Sequence, residues 1–537
     1  MAVRSPAAKA ACALIALGIA ATACASGDRR PAAGPDAKPA AASNADIEKF
    51  VVGMSGAPSM LDIAHGFDGA STGIQSEILN TMLKVGSDGQ LVPEIAESWS
   101  QPEPTTYVFK LRSDVKFWDG SAMTAEDAAY SLARHMDPKV ASQAASYMTN
   151  IKEVKATGDH EVTVTLKKPN NSFGYIVCPI WQVVKKSFAE KHKRDLGSPT
   201  VLTMGTGPFK VEKFNPASGT VLVRNENYWG PKPKIKRLEY KTIPDSETIR
   251  IAVDSGELDA TYAVDVHNAR RWTSLRNANI LFSRGNSSRY WSFDVNVEPF
   301  SDVHVRRAIA YATNREALAG ERLKPAVSPV PEPMLKAVFG EEGFRQLVNE
   351  IPQYGFDLAK AKEELAKSKF PNGFEVTVPY SNAQSIWSKI LQNTAQNLKQ
   401  IGITLTAKQV PHEKWVAQLF AHKELDMLIM GASYASPDPG EWLPDVLGKA
   451  TAVPNAFNLS NYSSPALEEN LVKLAASEGE ERKKIVKELV LEIADQLPYA
   501  PLFYDDNAIA LNKKYVWDGE FNTWTFSDLS VFVKAVA

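Results

Sequence analysis

A chain of 537 residues with 44% hydrophobic and 23% charged side chains is long enough for more than one buried core and is composed like an ordinary globular protein. Its 60 basic residues are matched by 62 acidic ones, which excludes the basic footprint of a nucleic-acid binder.

The start reads as an export signal. Arg4 and Lys9 give a basic beginning, residues 10–21 an apolar run of about a dozen, and Ala21-Thr22-Ala23 the small residues that a signal peptidase requires. The run is shorter than the roughly 20 residues needed to span a bilayer, so residues 1–23 are expected to be removed. The junction Ala21-Thr22-Ala23-Cys24 resembles the lipobox of bacterial lipoproteins. That resemblance implies a lipidated Cys24 as the first mature residue, anchored to the outer face of the cell membrane by two or more acyl chains. Residues 24–46 follow as a linker. From Ala25 to Asp46 they lack aromatic and β-branched side chains, and disorder is expected there. With Cys12 removed and Cys24 acylated, Cys178 has no partner for an intrachain disulfide.

The body alternates strand and helix signals. Ser71-Thr72 is expected to open a helix bearing Ile74, Ile78 and Leu79. Tyr107, Phe109 and Leu111 alternate with Val108 and Lys110, and Val162, Val164 and Leu166 with Thr163 and Thr165, the period of half-buried strands. Thr124 three residues before Asp127 predicts a capping box. Trp99 and Phe117 are expected in the core, and Asp119-Gly120 in a tight turn. Gly205-Thr206-Gly207-Pro208 and the proline-rich residues 324–333 suggest boundaries. Ser464-Pro465 predicts a capped helix carrying Leu467, Leu471 and Leu474. A second follows with Ile485, Val486, Leu489, Val490 and Ile493, stopping at Pro498.

Two patterns bear on catalysis or metal binding. Gly69-Ala70-Ser71-Thr72-Gly73 fits the Gly-x-Ser-x-Gly elbow of serine hydrolases, with Ser71 as nucleophile, but the preceding residues 62–68 are too polar and glycine-broken for the buried strand that the elbow needs. The eight histidines contain no His-x-His or His-x3-His pair, so no metal ligands and no cofactor are expected.

The strongest pattern lies in residues 93–127, with Ala96-Glu97-Ser98-Trp99, Val115-Lys116-Phe117, Asp119-Gly120 and Thr124-Ala125-Glu126-Asp127. Gly205-Thr206-Gly207-Pro208-Phe209, Asn225-Glu226-Asn227-Tyr228-Trp229-Gly230, Ser255-Gly256-Glu257-Leu258-Asp259, Val305-Arg306-Arg307-Ala308 and Pro498-Tyr499-Ala500-Pro501-Leu502-Phe503-Tyr504 follow in order. Together these blocks resemble the family 5 solute-binding proteins of ABC importers, which bind oligopeptides, dipeptides or nickel. The resemblance implies an α/β, two-lobed, hinged fold like that of periplasmic binding proteins (type II, large form). Lobe I would comprise residues 47–88, 203–293 and 500–537, with an inserted subdomain at 89–202, and lobe II residues 294–499. It also implies a monomer without catalytic activity that closes over a peptide-like solute and delivers it to membrane permease subunits. A glycoside, an opine or a metal chelate is the alternative guest.

Peptide-binding relatives set an aspartate against the ligand amine. In residues 431–439, aligned on Gly431 and Pro439, that position holds Ala435, and a usual tryptophan position holds Ala432. Tyr434 and Ser436 flank it. Asp505 beside Tyr504, and Asp294, which replaces a common asparagine, are candidates to supply the missing charge. Trp415 matches a tryptophan that relatives use in the pocket, with core packing as the competing explanation.

Overall fold

A computed structural model describes residues 41–537 except 194, 320–321, 382–384, 435 and 455. The architecture is mixed α/β, built on a nine-stranded sheet. Phe50–Met54 is parallel to Arg237–Thr242 on one side and to Ala260–Thr261 on the other. Its residues Phe50, Val51 and Val52 are all buried, the continuous apolar reading of a strand covered on both faces. Gly219–Arg224 and Phe209–Asn215 extend the sheet one way. Tyr499–Asn512, Ala278–Phe293 and Met427–Ser433 extend it the other way, all antiparallel.

Two of these strands are unusually long. Ala278–Phe293 has 16 residues and Tyr499–Asn512 has 14, and at about 3.3 Å per residue each is long enough to serve two cores. At one end Ala278, Ile509, Ala510 and Leu511 pack with the first lobe. At the other, Tyr290, Trp291, Phe293, Tyr499 and Phe503 lie in the core of the second. The pairing slips in the middle: Arg284 faces Asp506 but Ser288 faces Tyr504, so the first strand carries two extra residues there. Such a bulge bends and twists a ladder locally.

The inserted region forms its own four-stranded antiparallel sheet, with Thr106–Leu111 and Glu161–Leu166 at its centre. Phe109, Val162 and Val164 are buried against the helix Ala125–Ala133. That helix opens with the expected capping box between Thr124 and Asp127, and Gly120 turns with φ of 86°. Phe117 is buried, whereas Trp99 is only half-buried, on a strand with one open face. A Cβ on Gly205 or Gly207 would run into the Ile78 backbone, which explains both glycines by close packing.

The second lobe buries Leu467, Leu471 and Leu474 of the Ser464-capped helix Pro465–Leu474, and Ile485, Val486, Leu489, Val490 and Ile493 of Gly479–Gln496. The latter ends at Leu497 in the left-handed conformation, φ 47°, just before Pro498.

Three expectations need correction. The first helix is Gly69–Ile78, and its cap is Asp68 rather than Ser71, because the Asp68 carboxylate accepts from the Ser71 amide. Residues 324–333 do not mark a boundary: Lys324–Pro325 pairs with Tyr499–Asn512, and Ala326 and Val330 are buried. Residues 41–46, read as the end of a disordered linker, are held in place. Ala42 bridges to Val536, the Ser43 amide donates to the Ala535 carbonyl at 2.8 Å, and Asp46 pairs with Arg224 at 3.0 Å. Cys24 and the rest of residues 1–40 lie outside the described residues. No helix among the described residues is long and apolar enough to cross a membrane.

Arg134, on the short turn after the inserted helix, reaches back to Asp62 with two hydrogen bonds of 2.6 and 2.9 Å, both side chains buried. Removing Arg134 leaves the buried Asp62 with only His65, 3.3 Å away, as a charged neighbour, so Arg134→Met should destabilise the protein by about 3 kcal/mol in urea denaturation. Glu77 on the first helix is also buried. Its carboxyl is pushed up to about 7, first by desolvation and then by Asp528, from an ordinary 4.5. The folded state therefore keeps a proton that the unfolded chain loses between those values, and this stability is full below pH 4.5 and lost as pH rises through 7. Glu77→Gln should flatten the fall in melting temperature over that window.

Candidate functional site

The slip between the two long strands gathers charge at the crossing from one lobe to the other. Arg284 pairs with Asp506 at 2.8 Å and lies 3.6 Å from Glu332, while Arg322 approaches Asp506 at 3.4 Å. Burial pushes the Asp506 carboxyl up even so. One turn of the ladder away, Arg289 Nε donates to Asp505 at 3.0 Å, and the Ser287 hydroxyl lies 3.3 Å from the same carboxylate.

Asn286, in the bulge itself, ties the crossing to the segment after Met427–Ser433. Its Nδ2 donates to the Tyr434 carbonyl at 2.8 Å and the Ser436 carbonyl at 2.6 Å, and its own carbonyl accepts from the Tyr434 amide at 3.2 Å. The next residues open the helix Pro439–Leu447. Asp438 caps it by accepting from the Gly440 amide at 2.8 Å, and Pro439 fills its first turn. Trp442, Leu443, Val446 and Leu447 are buried.

The same helix carries Glu441 and Asp445. The Tyr434 hydroxyl donates to Asp445 at 3.0 Å. Burial pushes Asp445 up to about 6. Burial and then the neighbouring Asp445 and Asp438 push Glu441 up to about 8. The start of this helix lies where the second lobe meets the inserted region, two separate bodies, with Arg482 bonding both Asp438 and Ser172.

Direct contacts join those bodies nearby. The Asn171 amide donates to the Ala475 carbonyl at 2.8 Å, Asn171 Nδ2 to Glu478 at 3.2 Å, and Arg482 to the Ser172 hydroxyl at 3.2 Å. Arg482 also pairs with Asp438. Gly440 sits under this contact, where a Cβ would collide with the Ser172 hydroxyl. Alongside lies a groove of about 250 Å³ between Gln90 and Tyr175 on one side and Ala337, Pro437, Asp438 and Arg482 on the other.

Of the residues singled out from sequence, the crossing brings together Tyr434, Ser436, Tyr504 and Asp505. Ser436 is buried, its hydroxyl accepting from the Asp438 amide at 2.9 Å. Tyr504 is buried too, its hydroxyl accepting from the Ser328 amide at 3.3 Å, with the Arg284 guanidinium 5.9 Å from its ring centre. Asp294 stands apart, in the turn after Ala278–Phe293, accepting from the Asn296 amide at 3.0 Å. Trp415 is buried in the second lobe, its ring 4.8 Å from that of Trp387. Ala435 lies outside the described residues. Ser71 is not an exposed nucleophile: its buried hydroxyl donates to Asp68 at 2.7 Å and accepts from the Ser59 amide at 2.8 Å. Among the described residues no group of three or more His, Cys, Asp or Glu side chains is placed to hold a metal.

Arg289, Asn286, Glu441 and Asp445 escaped the sequence reading. The signal for the acids was present: two carboxylates at i and i+4 on a helix otherwise lined with tryptophan, leucine and valine. Nothing local marked Asn286, whose role comes from a strand slip.

Residues 90–452 match the family described as "Bacterial extracellular solute-binding proteins, family 5 Middle". The chain is 27% identical over 475 residues to the glutathione-binding protein GsiB of Escherichia coli O6:K15:H31 (strain 536 / UPEC), covering 87% of this chain and 91% of that protein. Its fold is like that of the periplasmic binding protein DppA from Helicobacter pylori in complex with the peptide STSA. There the TM-score is 0.78 at 23% identity, over 91% of this chain and 98% of that one. It is also like the oligopeptide-binding protein AppA from Bacillus subtilis in complex with a nonapeptide, with TM-score 0.74 at 20% identity, over 93% of this chain and 100% of that one. The sheet crossing between two lobes, the inserted four-stranded domain and the match over residues 90–452 together make this chain a member of the family 5 bacterial extracellular solute-binding proteins.

Proposed function

We propose that the chain captures peptides or peptide-like solutes between its lobes and hands them to the permease subunits of an ABC importer, acting as a monomer and catalysing no reaction. The observation that carries this reading is the pair of long strands that pass from one core to the other and slip at their midpoint. A two-strand connection with a local bend lets two rigid bodies close on a guest as a hinge does. The glutathione, the STSA peptide and the nonapeptide named with the relatives are all peptides, which supports the solute class. The lobe assignment, with residues 47–88, 203–293 and 500–537 against 294–499 and an insert at 89–202, is supported in outline by separate apolar cores, although Tyr290, Trp291, Phe293 and Phe503 pack with the second lobe and Val184, Ala189 and Leu196 with the first. On this reading residues 1–23 are a removed signal, and Cys24 carries the lipid that keeps the protein at the membrane.

Closure signals binding only to the extent that the guest prefers the closed form. Turning a 1:99 population into 99:1 takes roughly 5.5 kcal/mol of differential affinity. The contact over Gly440 is part of that closed form. A ligand at 100 times its dissociation constant adds about 2.7 kcal/mol of stability, so a panel of di- to nonapeptides, glutathione included, should contain members that raise the melting temperature and change the small-angle scattering curve. Gly440→Val should weaken their binding by at least about tenfold by obstructing closure; a panel in which no peptide moves either observable refutes the peptide assignment. Expressed in a bacterial host fed radiolabelled palmitate, the full chain should take up label, and Cys24→Ser should abolish it and release the protein from the membrane fraction.

A further inference from the structure

Where the pairing of Ala278–Phe293 with Tyr499–Asn512 breaks, between Arg284 and Ser288, Asn286 has no partner on the second strand, yet it is only 3% exposed. A buried backbone amide without an acceptor is costly. The acceptor comes from 237 residues further along the chain, where Thr523 Oγ1 takes the Asn286 amide at 3.0 Å. The same oxygen takes Asn507 Nδ2 at 3.2 Å, and Asn507 stands opposite Ser283 on the other side of the slip. One hydroxyl therefore bridges both long strands across their irregularity. Thr523 is itself fixed by the turn it belongs to. Asn522 Oδ1 accepts from the Trp524 amide at 2.9 Å and the Thr525 amide at 3.1 Å, and Asn522 Nδ2 donates to the Ser87 carbonyl at 2.8 Å. Asn286 in turn holds the Tyr434 and Ser436 carbonyls, and reversing its side-chain amide would set Oδ1 against both oxygens. The residue after Ser436 meets the same turn: a Cβ on Gly89 would lie 3.1 Å from Trp524 Nε1 and 3.6 Å from the Pro437 Cβ.

We propose that Thr523 is a positioning residue for the guest: its hydroxyl fixes Asn286 in the bulge, and Asn286 fixes the Tyr434 and Ser436 backbone that the guest meets. Thr523 acts through Asn286 and not by contact with the solute. The relay orders Tyr434 and Ser436 before a guest arrives, so that less ordering has to be done on binding. Threonine suits the place because its oxygen accepts from both donors, whereas valine, of the same shape, accepts from neither. The inference rests on the solute-binding reading and adds to it a residue close to the end of the chain.

The test uses the full chain and four variants. Thr523→Val and Thr523→Ala remove the hydroxyl with and without keeping the side-chain volume, Thr523→Ser keeps it, and Arg134→Met controls for lost stability alone. Hydrogen exchange without any ligand, read by mass spectrometry, should show the peptides spanning Asn286 and Tyr434 exchanging roughly tenfold faster in the two hydroxyl-free variants and at the wild-type rate in Thr523→Ser. Affinities for glutathione, tetra-alanine and Ser-Thr-Ser-Ala come from calorimetry. Each probe that the wild type binds should bind the hydroxyl-free variants roughly tenfold more weakly, while Thr523→Ser and Arg134→Met bind it as the wild type does. An unchanged near-ultraviolet circular dichroism spectrum separates a loosened segment from a misfolded chain, and if valine does not fit, the comparison of alanine with serine decides. If none of the three probes binds the wild type, the peptide assignment falls and the exchange comparison alone decides the positioning. Exchange at Tyr434 that ignores the loss of the hydroxyl, a serine variant as impaired as the alanine one, or wild-type affinity in both hydroxyl-free variants overturns the proposal.

Discussion

The backbone ladder between Ala278–Phe293 and Tyr499–Asn512 is the constraint on which the rest of this molecule depends. Ladder hydrogen bonds are directional and a break in the middle of a sheet exposes groups that water must then satisfy. The lobes therefore cannot part freely; they can only bend where the ladder is already irregular. That place is the slip between Arg284 and Ser288, and Arg289, Asp505 and Asp506 are within a few residues of it. The ion pairs Arg284 to Asp506 and Arg289 to Asp505 bridge the same two strands on either side of the irregularity. Lateral separation is opposed while rotation about the strands is left available.

Charge is distributed unevenly around this crossing. At it, Arg284 and Arg322 share Asp506, and Arg289 pairs with Asp505. Beyond it, on Pro439–Leu447, Glu441 and Asp445 are partly buried side by side, with the Tyr434 hydroxyl donating to Asp445. A closed, matched network stabilises a scaffold, whereas an unmatched group in low dielectric amplifies any opposite charge brought near it.

Much of the fold was legible in the chain because local rules and tertiary context agreed. Alternation gave the strands of the inserted sheet, and Thr124 with Asp127 and Ser464 with Pro465 marked helix starts that the structure bears out. The first helix was misread at its start because Asp68, Ser71 and Thr72 are all competent caps, and only the Asp68 hydrogen bond to the Ser71 amide decides between them. The proline-rich residues 324–333 looked like a boundary because proline removes donors, yet Lys324–Pro325 sits at the edge of the sheet where a missing donor is tolerated. The site was less legible than the fold. Tyr434 and Asp505 were reached through resemblance, whereas Asn286 and Arg289 depend on a slip between strands more than 200 residues apart in sequence, which no local pattern encodes.

The order of the strands also governs how the polypeptide can be made. Tyr499–Asn512 lies inside the nine-stranded sheet, between Ala260–Thr261 and Ala278–Phe293, yet it is synthesised almost last. Until it emerges, the first lobe lacks an interior strand and its long partner has an open edge, so nascent chains must wait for distant pairing, the slow kind of folding. Pairing across the crossing is therefore among the last contacts this chain can make, and both lobes are completed by the same late event.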